Sequence, residues 1–136
     1  IRSGQRGPKG IKQLPIKLNK FKATIAIVVD YILFLKKYID LLTIQQTLPS
    51  YFERIIDAIA YEIYFPDVIN TAGCEILTHL SGLSSLTGEE DEVSKAKDLK
   101  IIKDVYKLLT DPTHPVDSVL LKLNNVEEVK IIEGKQ

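Results

Sequence analysis

Apolar residues recur at three- and four-residue steps along most of this chain, the period of helices that lie on a core. The longest such pattern predicts a helix over residues 19–39, where Phe21, Ile25, Val28, Val29, Ile32, Leu35 and Ile39 share one face. Ile27, Tyr31, Phe34 and Tyr38 form a second stripe beside it. One neighbour does not cover so wide an apolar surface, so this helix is expected to be clamped on two sides, or on one side by a partner chain. A connector over 40–49 follows, its end marked by Pro49.

Ser50 and Glu53 have the spacing of a capping box, which predicts a second helix from 50 to about 64. Phe52, Ile55, Ile56, Ile59 and Ile63 would face inward. Pro66 then restarts the chain in a third helix, expected to continue through Ile69, Ala72, Gly73, Ile76 and Leu77 to Leu80. Gly73 would cost about 1 kcal/mol relative to Ala inside that helix, offset by close approach of a neighbour. Gly82 would supply the left-handed stop.

The acids Glu89, Glu90, Asp91 and Glu92 stand where a helix N-terminus favours negative charge. They predict a fourth helix over 91–109 that buries Val93, Ala96, Leu99, Ile102, Val105, Tyr106 and Leu109. Pro112 and Pro115 end it. A short fifth helix carries Val116, Val119, Leu120 and Leu123 to Asn124 and Asn125. The β-branched Val129, Ile131 and Ile132 predict a short terminal strand over 126–133. The expected class is all-α: a small bundle of about five helices with a short terminal β-strand.

With 136 residues, 45% of them hydrophobic, the chain suits one domain with a real core and is not a disordered chain. Its single Cys excludes a disulfide scaffold. No apolar run reaches the roughly 18 residues of a membrane helix, so no membrane contact is expected. No secretory signal pattern opens the sequence, which sets a cytoplasmic expectation. The absence of Met leads us to expect a piece of a longer polypeptide.

A net charge of zero conceals an uneven distribution. Residues 1–22 hold Arg2, Arg6, Lys9, Lys12, Lys17, Lys20 and Lys22 and no acid, whereas the remaining 114 residues hold 11 cations and 18 acids. Gly4, Gly7, Pro8 and Gly10 break regular structure in this leader. A basic arm of this kind can lie along phosphates and gain affinity by releasing their counterions. These seven cations are the candidate DNA-backbone contacts.

Residues fit for covalent chemistry do not cluster. Cys74, His79 and His114 lack metal-ligand spacing, so Cys74 reads as a core thiol and His114 as a trim for a helix end. Pro66-Asp67 opens like a metal-dependent nuclease motif, but Leu77 stands where that motif needs lysine. Asp57 and Glu62 fall on different helical faces, which excludes a paired-carboxylate site. No catalytic, cofactor-binding or metal-binding residue is expected in this chain.

Three passages together resemble a known family: QLPIK at 13–17 leading to DYILFLKK at 30–37, YFERIIDAIAYEIYFP at 51–66, and DPTHP at 111–115 followed by VEEVKIIEGK at 126–135. They are similar to the C-terminal helical region of TaqI-like, restriction-modification adenine-specific DNA methyltransferases. The resemblance implies a parent enzyme that methylates adenine in a DNA site with S-adenosylmethionine, fused in some members to a restriction endonuclease. It implies that 1–18 are a basic leader or the end of a preceding recognition domain, and that 19–136 are a helical C-terminal domain. Catalysis in that family uses an Asn-Pro-Pro-Tyr type motif, which this sequence lacks, so no catalytic residue carries over. The implied partners are DNA, met through the parent enzyme, and preceding domains of the same chain. The alternative is a helical protein-interaction or oligomerisation module without nucleic-acid binding, forming a homodimer through the first-helix stripe Ile27, Tyr31, Phe34 and Tyr38.

Overall fold

The computed structural model describes residues 18–133, and within them the side chains of all but residues 127 and 128. Residues 18–20 are helical, and six α-helices follow: α1 (Lys22–Lys37), α2 (Thr47–Tyr64), α3 (Pro66–Ala72), α4 (Glu92–Leu109), α5 (Pro115–Leu123) and α6 (Glu127–Ile132). A 3-10 turn, Leu77–Leu80, lies between α3 and α4. The described residues contain no strand, and the small helical bundle expected from periodicity is what forms.

α2 is the central element: α1, α3 and α5 all pack against it, and α5 also carries α4. Its buried face includes Phe52, Ile55, Ile59 and Ile63, as the sequence predicts, together with Ala58 and Glu62, whereas Ile56 is half-buried. Aromatic edges join the layers. Tyr31 of α1 meets Phe52 of α2 edge to face at 5.5 Å, and Tyr51 of α2 meets Tyr106 of α4 in the same manner at 5.0 Å. The Tyr51 hydroxyl donates to Asp117 Oδ1 of α5 at 2.9 Å, so one side chain ties three helices together.

The first helix is indeed clamped on two sides. Val28, Tyr31, Phe34 and Leu35 are buried, a stripe that merges the two apolar faces read from sequence. α2 covers one flank, and on another the Tyr31 hydroxyl donates to the Ser84 carbonyl of the loop before α4. Half of the stripe expected to stay exposed for a partner chain is taken into the core: Tyr31 is 0% exposed and Phe34 is buried, while Ile27 and Tyr38 are half-buried. What α1 leaves outside is Val29 and Leu33.

Four expectations are corrected by the structure. α2 begins at Thr47, one turn before Ser50, so there is no capping box; Pro49 sits in the first helical turn, where its missing N–H costs nothing. Glu53 reaches Lys36 of α1 at 2.6 Å instead of back to a cap. The third helix stops at Ala72, because Gly73 adopts φ 70°, ψ 32°. The Cys74 N–H then donates to the Ile69 carbonyl at 2.9 Å and the Gly73 N–H to the Asn70 carbonyl at 3.1 Å, a Schellman closure with Ile69 and Cys74 both buried beneath it.

On α4, Val93 is 78% exposed and Asp98 is buried in its stead. Asp98 Oδ1 accepts from the Thr87 N–H at 2.8 Å, and its Oδ2 accepts from the Thr87 hydroxyl at 3.0 Å and the Gly88 N–H at 3.3 Å. Burying a carboxylate is tolerable when it satisfies donors in this way, and it turns the inward line of α4 to Asp98, Ile102, Val105 and Leu109. Finally, the expected strand over 126–133 is helix α6. Val126 and Val129 are both buried at a spacing of three, which is helical, and no other strand is described that could accept the pairing.

Candidate nucleic-acid interface

Of the seven candidate phosphate contacts, Arg2, Arg6, Lys9, Lys12 and Lys17 lie outside the described residues. Lys20 and Lys22 are described and exposed, Lys22 at the start of α1 and Lys20 in the helical residues 18–20 just before it. Helix N-termini usually recruit acids against the positive end of their dipole. Here the first turn carries no acid and Phe21 supplies no side-chain cap. The Lys20 ammonium stands 5.5 Å from the Phe21 ring centroid. Residues 18–20 are themselves helical, with Phe21 the turn before α1, so Lys20 and Lys22 flank a break between two helical segments.

The other end of α1 uses its cations internally. Lys36 pairs with Glu53 of α2 at 2.6 Å, and Lys37 pairs with Glu90 at 3.0 Å. Glu90 accordingly raises the Lys37 ammonium above its ordinary range. Lys95 sits 5.2 Å over the Tyr38 ring.

A second basic face was implicit in the sequence but not singled out. The inward residues of α4 leave Lys97, Lys100, Lys103 and Lys107 on its outer side, all exposed. Lys100 pairs with Asp104 at 2.9 Å, an exposed contact along the helix. Lys103 and Lys107 have no ion-pair partner among the described residues. They border an open groove of about 600 Å³ between α4 and the α1–α2 connector, together with Thr43, Ile44, Gln45, Thr47, Leu48, Asp104 and Tyr106.

Cys74 is 1% exposed, and burial pushes its thiol up while nearby Lys122 opposes this. Its sulfur contacts the Ala72 carbonyl at 3.7 Å. His114 is the N-cap of α5, its Nδ1 accepting from the Val116 N–H at 3.3 Å, the helix-trimming role that its place between prolines suggests. Among the described residues neither imidazole hydrogen-bonds a serine, threonine or cysteine side chain, and no three His, Cys, Asp or Glu residues group around a metal position. No described helix is long and apolar enough to cross a membrane.

A further cleft, of about 470 Å³, is lined by Arg54, Asp57, Tyr61, Leu120, Asn124, Ile132 and Glu133, among others. Tyr61 donates to Glu133 Oε2 at 2.8 Å, tying α2 to the end of α6. Burial and that bond push the Tyr61 phenol up to about 12. Desolvation, then the charges of Glu133 and Glu53, raise Asp57 above its ordinary 3.8. A carboxyl whose folded pKa is raised favours the fold in its protonated form; that contribution is complete below 3.8 and is lost as pH rises through the raised value. Asp57→Asn should therefore raise the melting temperature at neutral pH, and the gain should vanish on acidification below the carboxylate range. Thermal melts of both proteins across pH check this, and an equal or lower melting temperature for the variant at neutral pH would refute it.

No protein family, curated protein or solved structure matches this chain.

Proposed function

We propose that this chain is a non-catalytic helical part of a site-specific DNA adenine methyltransferase of a cytoplasmic restriction-modification system. In this reading it props the recognition domain and contacts the DNA backbone. The observation that carries the reading is charge placement: seven cations and no acid in residues 1–22, of which the described Lys20 and Lys22 are exposed. The three motifs quoted above supply the family. S-adenosylmethionine and the reacting adenine would be held by other parts of the parent. Backbone contacts position a protein without reading bases, so this surface adds affinity and not base specificity.

The test is binding of the full chain to duplex DNA over a range of salt. Each phosphate contact contributes about 0.9 to the slope of log affinity against log salt. Changing Arg2, Arg6, Lys9, Lys12, Lys17, Lys20 and Lys22 together to Ala should flatten the slope by up to about 6. An unchanged slope and affinity would overturn the reading.

A second reading, an interaction module, is favoured by one observation: Leu33 is 60% exposed and Val29 37% exposed on the outer face of α1, with Leu41 66% exposed just beyond it. Concentration-dependent dimerisation in sedimentation, with no salt-sensitive DNA binding, would select it.

A further inference from the structure

We infer that residues 83–90 form a strap that opens on its own while the helices stay folded, with Asp98 as its clasp. Among the described residues, 84–90 make no backbone–backbone hydrogen bond. The polar contacts that fasten the strap therefore all involve side chains, and they are of unequal worth. The buried Asp98 of α4 accepts from the Thr87 N–H, the Thr87 hydroxyl and the Gly88 N–H. On the α1 side, the Tyr31 hydroxyl donates to the Ser84 carbonyl. The Lys37–Glu90 pair and the bond from the Ser94 hydroxyl to Glu89 are exposed, and such contacts contribute little in water. Leu83 and Leu86 are half-buried and the other six residues are exposed, so lifting the strap takes little apolar surface out of the core.

A segment with few buried apolar contacts and no backbone ladder opens at a lower free energy than the core beside it. α4 is that core: Ile102, Val105 and Leu109 are buried along a continuous helix. Gly82 and Gly88 take φ 80° and 75°, and no atom lies within 4 Å of where a Cβ would stand on either. The backbone can turn at both points without meeting a neighbour. What lies under the strap gives its opening a consequence. Tyr31 is 0% exposed there. Leu83 and Ser84 also wall a cleft of about 230 Å³ that His79, His114, Ile101 and Val105 help to line. Lifting the strap uncovers the ring and widens the cleft in one movement. Because three bonds converge on one carboxylate, Asp98 sets how often that happens.

The experiment is native-state hydrogen exchange on the full chain in urea below the unfolding transition, with limited digestion by a glutamate-specific protease alongside. In the parent, the Thr87 and Gly88 amides should exchange with little dependence on urea, whereas those of Ile102 and Val105 should follow the steep dependence of global unfolding. Asp98→Asn keeps the size of the side chain but loses its charge and one acceptor oxygen. It should speed exchange at Thr87 and Gly88, and cleavage after Glu89 or Glu90, by about tenfold or more, with a smaller change at Ile102 and Val105. Lys37→Ala, which breaks only the exposed pair, should leave the strap within about twofold of the parent. Thr87 and Gly88 amides with the urea dependence of Ile102 would overturn the inference, and the parent alone decides this even if Asp98→Asn does not fold. An Asp98→Asn protein that speeds all four amides alike, or a Lys37→Ala protein that opens the strap as far, would overturn it too.

Discussion

Glu62→Ala should destabilise the fold by about 3–5 kcal/mol, while Glu62→Gln should cost about 1 kcal/mol. Glu62 is a charged-type residue only 1% exposed, on the buried face of the central helix. Its Oε1 accepts from the Ile76 N–H at 2.7 Å and from the Leu77 N–H at 3.0 Å. Those amides open the 3-10 turn, which a carboxylate from another helix therefore caps. Ile76, Leu77 and Leu80 are all 0% exposed, so water is not at hand to replace the lost acceptor. Each orphaned buried amide costs about 1–3 kcal/mol, and the truncation adds a void. Glutamine keeps a carbonyl oxygen that can accept the same two bonds. Urea unfolding would rank the three proteins, and hydrogen exchange should quicken at Ile76 and Leu77 in the alanine variant. Equal stability of Glu62→Ala and the parent would show that Glu62 is not the anchor of this turn.

Glu62 also marks where reading residues in order stops being sufficient. The helical period found Phe52, Ile55, Ile59 and Ile63, because an apolar stripe needs only a period of 3.6 to announce itself. A polar residue on that stripe interrupts the pattern, and its meaning depends on donors 14 and 15 residues further on. Asp98 misled in the same way, since its partners belong to a loop that no periodicity describes. His114 was legible because the prolines on either side already defined a helix start at Pro115. Gly73 was ambiguous: Ile76, Leu77 and Leu80 continue the period past it, and only its left-handed conformation separates a stop from a helical glycine. Thr43 gave no signal, although it takes a left-handed φ of 54° with the Ile44 N–H donating to the Ile39 carbonyl, a stop usually left to glycine. As for the candidate site, the leader's charge was plain in sequence. The α4 groove was not, since it joins Thr43–Leu48 to lysines about 60 positions away.

Tyr31 gives the second large effect and decides how the first helix is used. Tyr31→Ala should cost about 3–5 kcal/mol, the range for truncating a large core aromatic. Tyr31→Phe should cost only about 1 kcal/mol: the ring stays against Phe52, and the Ser84 carbonyl, on an exposed residue, can rebind water. Tyr31→Glu places a carboxylate where the ring is 0% exposed and should leave no folded protein at room temperature. Leu33→Glu, two residues on but 60% exposed, should stay within about 0.5 kcal/mol of the parent. The contrast separates core from contact surface, because a binding stripe would tolerate Glu at either position in the monomer and lose only association. pH gives an independent check. Burial pushes the Tyr31 phenol from 10.0 up to about 12, so its contribution is whole below pH 10 and drains away as pH climbs through 12. Tyr31→Phe should accordingly lose less stability than the parent across that alkaline interval. A folded Tyr31→Glu monomer melting like the parent would place this ring outside the core and return the first helix to a partner chain.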